Sequence, residues 1–304
     1  MKGQVEGGSR KLKDELVRGT AWNGGIRVFA ARTTELVGEL QRRHGTFPTA
    51  TAALGRTATA AAMMGAMLKG KEKLTLQVKG DGPLGQIVVD ANASAEIRGY
   101  VDHPQVHVAS NDQGKLDVAG AVGRNGYIHV IKDLGLKEPY RGSVPIISGE
   151  LAEDFTLYFA DSEQSPSAVG LGVLVDVDGT VLHAGGFIVQ VMPGLPEDQL
   201  ERLERAISAM PQVTSLLDQG ETPESLLHFL VGEDLTIHHS IEPVFRCKCS
   251  RERFEQALIT LGKKELNSLI EEDGKAELHC HFCNEKYLFE AEELKALHSI
   301  SDRQ

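Results

Sequence analysis

Apolar positions along the first two-thirds of this chain follow two different periods. Between residues 33 and 44 they recur at helical spacing, with Leu36, Val37 and Leu40 on one face and polar residues opposite. Pro48 suits a helix start, and the Ala-, Leu- and Met-rich stretch that follows to Lys69 has few polar side chains, which predicts a buried helix. Residues 22–32 read as a turn followed by a strand. Short β-like runs at 74–79, 86–90, 96–101 and 127–132, punctuated by glycine, predict hairpins. Apolar runs at 168–175 and 186–191 complete a sheet, and the Met192-Pro193-Gly194 punctuation is expected to end the domain. The fold expected from this pattern is α+β: a mixed α/β core domain over residues 13–193, a helical acidic linker over 194–241 and a small module over 242–304.

The character of the chain changes after Gly194. Leu200, Leu203, Ile207 and Met210 share a helix face, and Leu216 and Leu217, then Leu226, Leu227 and Leu230, mark two further short amphipathic segments. Thr222-Pro223-Glu224 is a helix start, with Thr as N-cap and Pro at the first helical position. Residues 194–240 hold nine Asp or Glu against two Arg, so this stretch carries −7 of the chain's net −11. One reading is a solvated connector. The other is a metastable linker, since short helices are marginal alone in water and an apolar stripe needs a neighbour to cover it. The stripe Leu200, Leu203, Ile207 and Met210 is the candidate surface for binding a partner protein.

The last segment, 242–304, is too short to bury much core, and modules of that size use a metal or another staple. All four cysteines of the chain lie here, as Cys247-Lys-Cys249 and, thirty residues later, Cys280-His-Phe-Cys283. Two paired half-sites far apart in sequence predict one tetrahedral zinc ion per chain held by Cys247, Cys249, Cys280 and Cys283. His279 and His281 are alternative ligands that a complete four-cysteine set makes unnecessary. An iron–sulfur cluster has the right ligand count but the less suitable Cys-x-Cys geometry. Arg246, Lys248, Arg251, Arg253 and Lys286 are expected to offset the −2 charge of four thiolates and a dication. Such a site is either purely structural or redox-active: thiolates are what oxidants attack, and each has a partner two or three residues away. Short separation would pair Cys247 with Cys249 and Cys280 with Cys283.

Other chemistry finds no support. The G-x-G-x-x-G match at Gly80-Asp-Gly82-Pro-Leu-Gly85 leads into the strand-like run Gln86-Ile-Val-Val-Asp90, so it predicts a hairpin turn and no nucleotide site. Arg42, Arg43 and His44 read as a helix C-terminal charge cap. No Walker loop, zinc-protease helix or nucleophile elbow occurs, and no enzyme activity is expected. A net charge of −11 disfavours nucleic acid. The longest apolar run, residues 60–68, is far short of the roughly 18 residues a membrane span needs. The start MKGQVEGGSRK has no apolar signal region, and residues 1–12 read as a loose tail or cloning scar, which makes the cytoplasm the default compartment.

Several motifs together resemble the heat-shock protein 33 family, the 33 kDa chaperonins of bacteria. They are Arg32-Thr-Thr, Gln41-Arg-Arg-His-Gly-Thr46, Pro48-Thr-Ala-Thr-Ala-Ala-Leu-Gly-Arg56, Gly185-Gly-Phe187, Gly262-Lys-Lys-Glu265, Phe282-Cys-Asn-Glu-Lys-Tyr287 and the Cys-x-Cys with Cys-x-x-Cys spacing. The likeness runs from about Leu16 to Glu290, and the leading dozen residues depart from it. The resemblance implies a redox-regulated holdase that is inactive when reduced and zinc-bound. Oxidation would form two disulfides among Cys247, Cys249, Cys280 and Cys283, release zinc and unfold the module and linker. Unfolding client proteins would then be bound without ATP, and the activated form would dimerise. A constitutive zinc-ribbon adaptor and a thiol oxidoreductase are the competing readings.

Overall fold

The structure, a computed structural model, describes residues 12–111 and 114–300. The tail expected at residues 1–12 lies outside these but for Leu12. The chain divides into two compact units, the first ending at Phe245 and the second starting at Arg246.

The first unit opens with a hairpin, β1 (Glu15–Ala21) and β2 (Ile26–Arg32), whose turn places Trp22 and Asn23 at φ 53° and 55°. Helix α1 (Thr34–His44) takes its N-terminal cap from a distant residue: the Asp14 carboxylate accepts the N–H groups of Glu35 and Leu36 at 3.0 and 2.8 Å. It ends at Gly45 in the left-handed conformation, with Arg42, Arg43 and His44 in its last turn. Helix α2 (Pro48–Gly65) is buried at every position but Pro48 and Arg56. Two of its buried hydroxyls are satisfied within the helix, Thr57 and Thr59 donating to the carbonyls of Ala53 and Gly55, and Thr51 reaches the carbonyls of Thr46 and Phe47 just before it. It stops four residues short of the expected Lys69, where a Cβ on Gly65 would stand 2.8 Å from the Asn92 carbonyl oxygen.

There follow β3 (Lys73–Lys79), β4 (Gln86–Asn92), β5 (Glu96–Val101), α3 (Val118–Val122), β6 (Tyr127–Asp133) and β7 (Tyr140–Pro145). After α4 (Ala152–Leu157), which runs on in a wider turn to Ser162, come the long strands β8 (Ser167–Val175) and β9 (Val181–Val191). The unit closes with α5 (Glu197–Ala209), α6 (Val213–Asp218), α7 (Pro223–Val231), β10 (Leu235–Ile241) and β11 (Val244–Phe245). The 192–194 punctuation ends β9, and the compact unit continues beyond it to Phe245.

Two sheets result. The antiparallel five-stranded sheet has the order β10-β1-β2-β9-β8. The six-stranded sheet has the order β11-β5-β4-β3-β6-β7, in which only β11 is parallel to its neighbour. Helix α2 packs against strands of both and fills the main core with Leu54, Met63 and Met64. The five-stranded sheet is apolar on its other face too. Ile26, Val28, Ala30, Phe187 and Val189 form a second core with Leu203, Val213, Leu217 and the Leu226, Leu227, Leu230 cluster of α5 to α7. The acidic segment is therefore laid on a sheet. Two polar ties hold it there: the Trp22 indole N–H donates to the Val231 carbonyl at 3.1 Å, and the buried Arg32 guanidinium donates to the Glu221 carbonyl at 2.7 Å.

The second unit comprises α8 (Arg251–Leu261), α9 (Lys263–Ser268, running on to Asp273), the hairpin β12 (Lys275–His279) and β13 (Lys286–Glu290), and α10 (Ala291–Ile300). Its core is small: Leu258, Ile259, Leu266, Ala276, Phe289, Leu294 and Leu297 are its buried apolar residues outside the cysteines. None of the described helices is long and apolar enough to cross a membrane.

The capping role of Asp14 generates a pH prediction. Burial pushes its carboxyl up from 3.8 to about 6, against the pull of the Leu36 and Glu35 N–H groups. The folded state therefore binds this proton more tightly than the unfolded state. The stability associated with it is present below pH 4 and is lost as pH rises to 6. Between pH 4 and 6, the stability of Asp14→Asn relative to the parent protein should rise by about 2–3 kcal/mol. Urea denaturation of both proteins across that range measures the difference, and a pH-independent difference would contradict the assignment.

Candidate metal centre

Two short loops bring the cysteines together. Cys280-His-Phe-Cys283 forms the turn of the β12–β13 hairpin. It is closed by the Asn284 N–H on the Cys280 carbonyl at 2.7 Å and the Cys280 N–H on the Glu285 carbonyl at 2.9 Å, with Asn284 at φ 58°. Cys247 and Cys249 lie on the extended lead-in to α8. There the Ser250 hydroxyl caps the helix on the Arg253 N–H, and the Arg253 guanidinium holds the Lys248 carbonyl at 2.7 Å.

The four Sγ atoms lie within 4.8 Å of one another. Two of the separations between the loops are 3.6 Å for Cys247–Cys280 and 3.3 Å for Cys249–Cys283. A tetrahedron of sulfurs at metal–sulfur distances of about 2.3 Å has edges of about 3.8 Å, so a single ion fits the set. Cys280 and Cys283 are buried, and Cys247 and Cys249 are partly exposed. Burial raises the thiols of Cys280 and Cys283 above their ordinary value. At Cys247 burial acts the same way, but the Cys249 N–H and the surrounding thiols outweigh it and bring the group down to about 7. A cation at the centre would stabilise these sulfurs as thiolates, so metal binding should expel protons.

Among the described residues, the metal-capable group consists of these four cysteines. His279 instead meets the Glu277 carboxylate at 2.7 Å. Three of the five basic residues expected to offset the thiolate charge have other partners: Arg251 pairs with Glu293 and lies over the Phe289 ring, Arg253 holds a carbonyl, and Lys286 pairs with Glu277. The contact that sequence reasoning missed is Tyr287, whose Oη is 3.3 Å from the Cys249 sulfur and whose ring packs on Phe254 at 4.7 Å. Strand alternation in β13 places it, but nothing in its spacing from the cysteines marks it.

The apolar stripe resolves into unequal members. Leu203 is buried, Ile207 and Met210 sit partly buried at the edge of the second core, and Leu200 is half-buried. The glycine-rich segment at 80–85 is the turn of the antiparallel β3–β4 pair, as expected. Its Asp81 accepts the Arg124 and Asn125 N–H groups.

With this geometry in hand, comparison with known proteins is decisive. A profile of the Hsp33 protein family matches residues 14–290. The chain belongs to the Hsp33 family. It is 54% identical over 290 residues to a protein of Bacillus subtilis (strain 168) named 33 kDa chaperonin, covering 95% of this chain and all of the relative. It is 55% identical over 285 residues to a protein of the same name from Staphylococcus aureus (strain Newman), covering 93% and 97% of the two chains. Among solved structures, the 33 kDa chaperonin (heat shock protein 33 homolog) of Thermotoga maritima superposes with a TM-score of 0.91 at 39% identity, over 96% of this chain and all of that one. The Hsp33 relatives bear the name of a chaperone, not of an enzyme.

The four-sulfur geometry predicts the effect of removing one ligand. Cys283→Ser should lower metal affinity by more than about a hundredfold, whereas Tyr287→Phe, which removes only the hydroxyl near Cys249, should cost about tenfold or less. Competition with a chromophoric chelator measures both. Unchanged affinity in Cys283→Ser would remove that residue from the ligand set.

Proposed function

We propose that this chain is a cytoplasmic, ATP-independent holdase chaperone, held inactive while Cys247, Cys249, Cys280 and Cys283 bind one zinc ion and activated when they are oxidised. The observation that carries the reading is the apolar sheet face of Val28, Ala30, Phe187 and Val189, covered only by short acidic helices. That cover ends at Val231, and the chain then runs through β10 and β11 to reach Cys247 two residues past β11. A four-thiolate set suits zinc among divalent ions.

Bound zinc supplies the positive charge that lets four thiolates sit together and a folding contribution on the order of 10 kcal/mol. The chain's own residues do the rest. A thiolate displaces hydroxide from peroxide and becomes a sulfenic acid, and the neighbouring thiol then closes the S–S bond as water leaves. One peroxide and two thiols thus give one disulfide and two waters. Although sulfurs also approach across the loops, pairing of Cys247 with Cys249 and of Cys280 with Cys283 is favoured once the site has opened and sequence separation alone governs encounter.

The second unit's small core cannot replace the lost metal. Its unfolding removes the anchor at the end of β11 and β10, and α5 to α7 lose their hold on the sheet. Contiguous apolar surface then becomes available to unfolding client proteins, both on the stripe Leu200, Leu203, Ile207 and Met210 and on the sheet face beneath it.

Peroxide with mild heat should release one zinc per chain and raise hydrogen exchange across residues 194–304 while residues 16–192 stay protected. Suppression of client aggregation should rise in parallel and reverse with reductant and zinc. Equal activity in reduced and oxidised protein would refute the switch and leave an adaptor with a structural metal. Turnover of a small disulfide would instead indicate an oxidoreductase. Peptide mapping without reductant tests the pairing, and dominant Cys249–Cys280 linkage would contradict it. Leu203→Ala gives an independent test, because it weakens the cover by about 2–4 kcal/mol without touching a thiol. This variant should suppress aggregation measurably while still reduced and zinc-loaded.

A further inference from the structure

A thiolate sulfur keeps lone pairs after it has bound a metal, and the groups that occupy them govern how readily an electrophile reaches it. The four sulfurs differ in this respect. The Cys249 N–H donates to Cys247, the Phe282 and Cys283 N–H groups donate to Cys280, and the Glu285 N–H donates to Cys283. These donors are all main chain, fixed by the loops that carry them. Cys249 is served differently. Its donor among the described residues is a side chain, the Tyr287 hydroxyl, whose Oη stands 3.3 Å from Sγ. A metal-bound thiolate carries no proton, so the phenol donates and the sulfur accepts.

The fold sets the position of that hydroxyl from both sides. Tyr287 stands opposite Leu278 in the β12–β13 register, so the hairpin that holds Cys280 and Cys283 also carries the ring. The ring packs on Phe254 of α8 with centroids 4.7 Å apart, and α8 starts two residues after Cys249. One side chain thus reaches from one half-site to the other. Cys249 is also one of the two partly exposed sulfurs, where burial gives the least protection.

We propose that the Tyr287 hydroxyl restrains oxidation at Cys249, so that Tyr287 sets the reactivity of the Cys-x-Cys half-site while metal is bound. The inference rests on the redox reading above and adds a means of regulating it. When peroxide attacks, a sulfur lone pair forms the S–O bond, the O–O bond breaks and hydroxide leaves. A sulfur whose charge is stabilised by a hydrogen bond is a weaker nucleophile, and attack is eased when that bond is broken. The main-chain donors on the other three sulfurs move only with their loops, whereas the Tyr287 hydroxyl can leave by side-chain rotation. Once oxidised, the Cys249 sulfur is neutral and a weak acceptor, so the tie between the half-sites is lost together with the charge.

The test uses the reduced, zinc-loaded full-length protein and compares the parent with Tyr287→Phe, which keeps the ring and its packing. Brief treatment with N-ethylmaleimide, whose alkene carbon takes the sulfur lone pair before a proton arrives from water, is followed by peptide mass spectrometry. Initial rates for each cysteine are read at well under one adduct per chain. Tyr287→Phe should speed modification of Cys249 about fivefold, with Cys280 and Cys283 changed less than about twofold. A uniform rise at all four sulfurs would show that the hydroxyl merely stabilises the site, and an unchanged Cys249 would show that it has no effect there. Either result overturns the proposal. As a second arm, 3-fluorotyrosine placed at position 287 donates more strongly and should slow Cys249 below the parent rate. An equal or faster rate would overturn the proposal even if Tyr287→Phe held zinc poorly. Maleimide reads sulfur reactivity whether or not oxidation activates the chaperone, so this inference and the redox reading can fail separately.

Discussion

The structure depends on one constraint: the central strands of the five-stranded sheet are apolar on both sides. In β2 the alternating residues Ile26, Val28 and Ala30 face one core while Phe29 and Ala31 face the other, and in β9 Phe187 and Val189 are set against Ile188 in the same way. Leaving one face of such a sheet in water carries a free-energy cost that favours a cover. Two separate covers are therefore favoured, and the difference between them shapes everything else.

The α2 cover is permanent by construction. It is wedged between two sheets, its Thr57 and Thr59 hydroxyls are satisfied within the helix, and Gly55 allows contact close enough that a Cβ would meet Val37 at 2.6 Å and Val173 at 2.9 Å. No movement of α2 leaves either sheet intact. The α5 to α7 cover is one-sided. Its helices have 13, 6 and 9 residues, lengths that are marginal alone, and α5 contributes one fully buried side chain, Leu203. The hydrogen bonds from Trp22 and Arg32 go to its backbone carbonyls at Val231 and Glu221, so they hold only while that backbone stays folded. Such a cover holds through the burial of Leu203, Val213, Leu217 and the Leu226, Leu227, Leu230 cluster, and only while its own helices stay folded.

Sequence patterning located the elements whose environment is one-sided or whose chemistry is unusual. Strands β3 to β6 were legible within two residues because one of their faces is buried and the other is not. The cysteines were legible because metal ligation is written in residue type and spacing. By contrast, β10 falls inside the segment 194–241 expected to be helical and is instead a strand, which Thr236, His238, His239 and Ser240 leave exposed, and β7 hides behind Arg141 and Pro145. The acidic stripe of α5 was visible, but the face it hides was not. A strand buried on both sides gives a plain apolar run, with nothing to say which side is permanently covered. The basic residues near the cysteines misled for a related reason: nearness in sequence does not fix direction, and Arg251 and Lys286 turn to Glu293 and Glu277.

Charge completes the argument. The segment that covers the sheet carries −7, most of the chain's net −11, and on α5 the residues Glu197 and Asp198 stand in the first turn, where a helix favours negative charge. Acidic residues on the outer face do not oppose docking, because they remain in water in both states. Once the cover lifts, however, they travel with the apolar stripe and surround it. Two opened copies then repel each other over roughly a Debye length, while a heterogeneous unfolding chain of low charge is not repelled. The same residues that make the segment look like an ordinary solvated connector would thus bias an exposed apolar surface toward clients and away from self-aggregation.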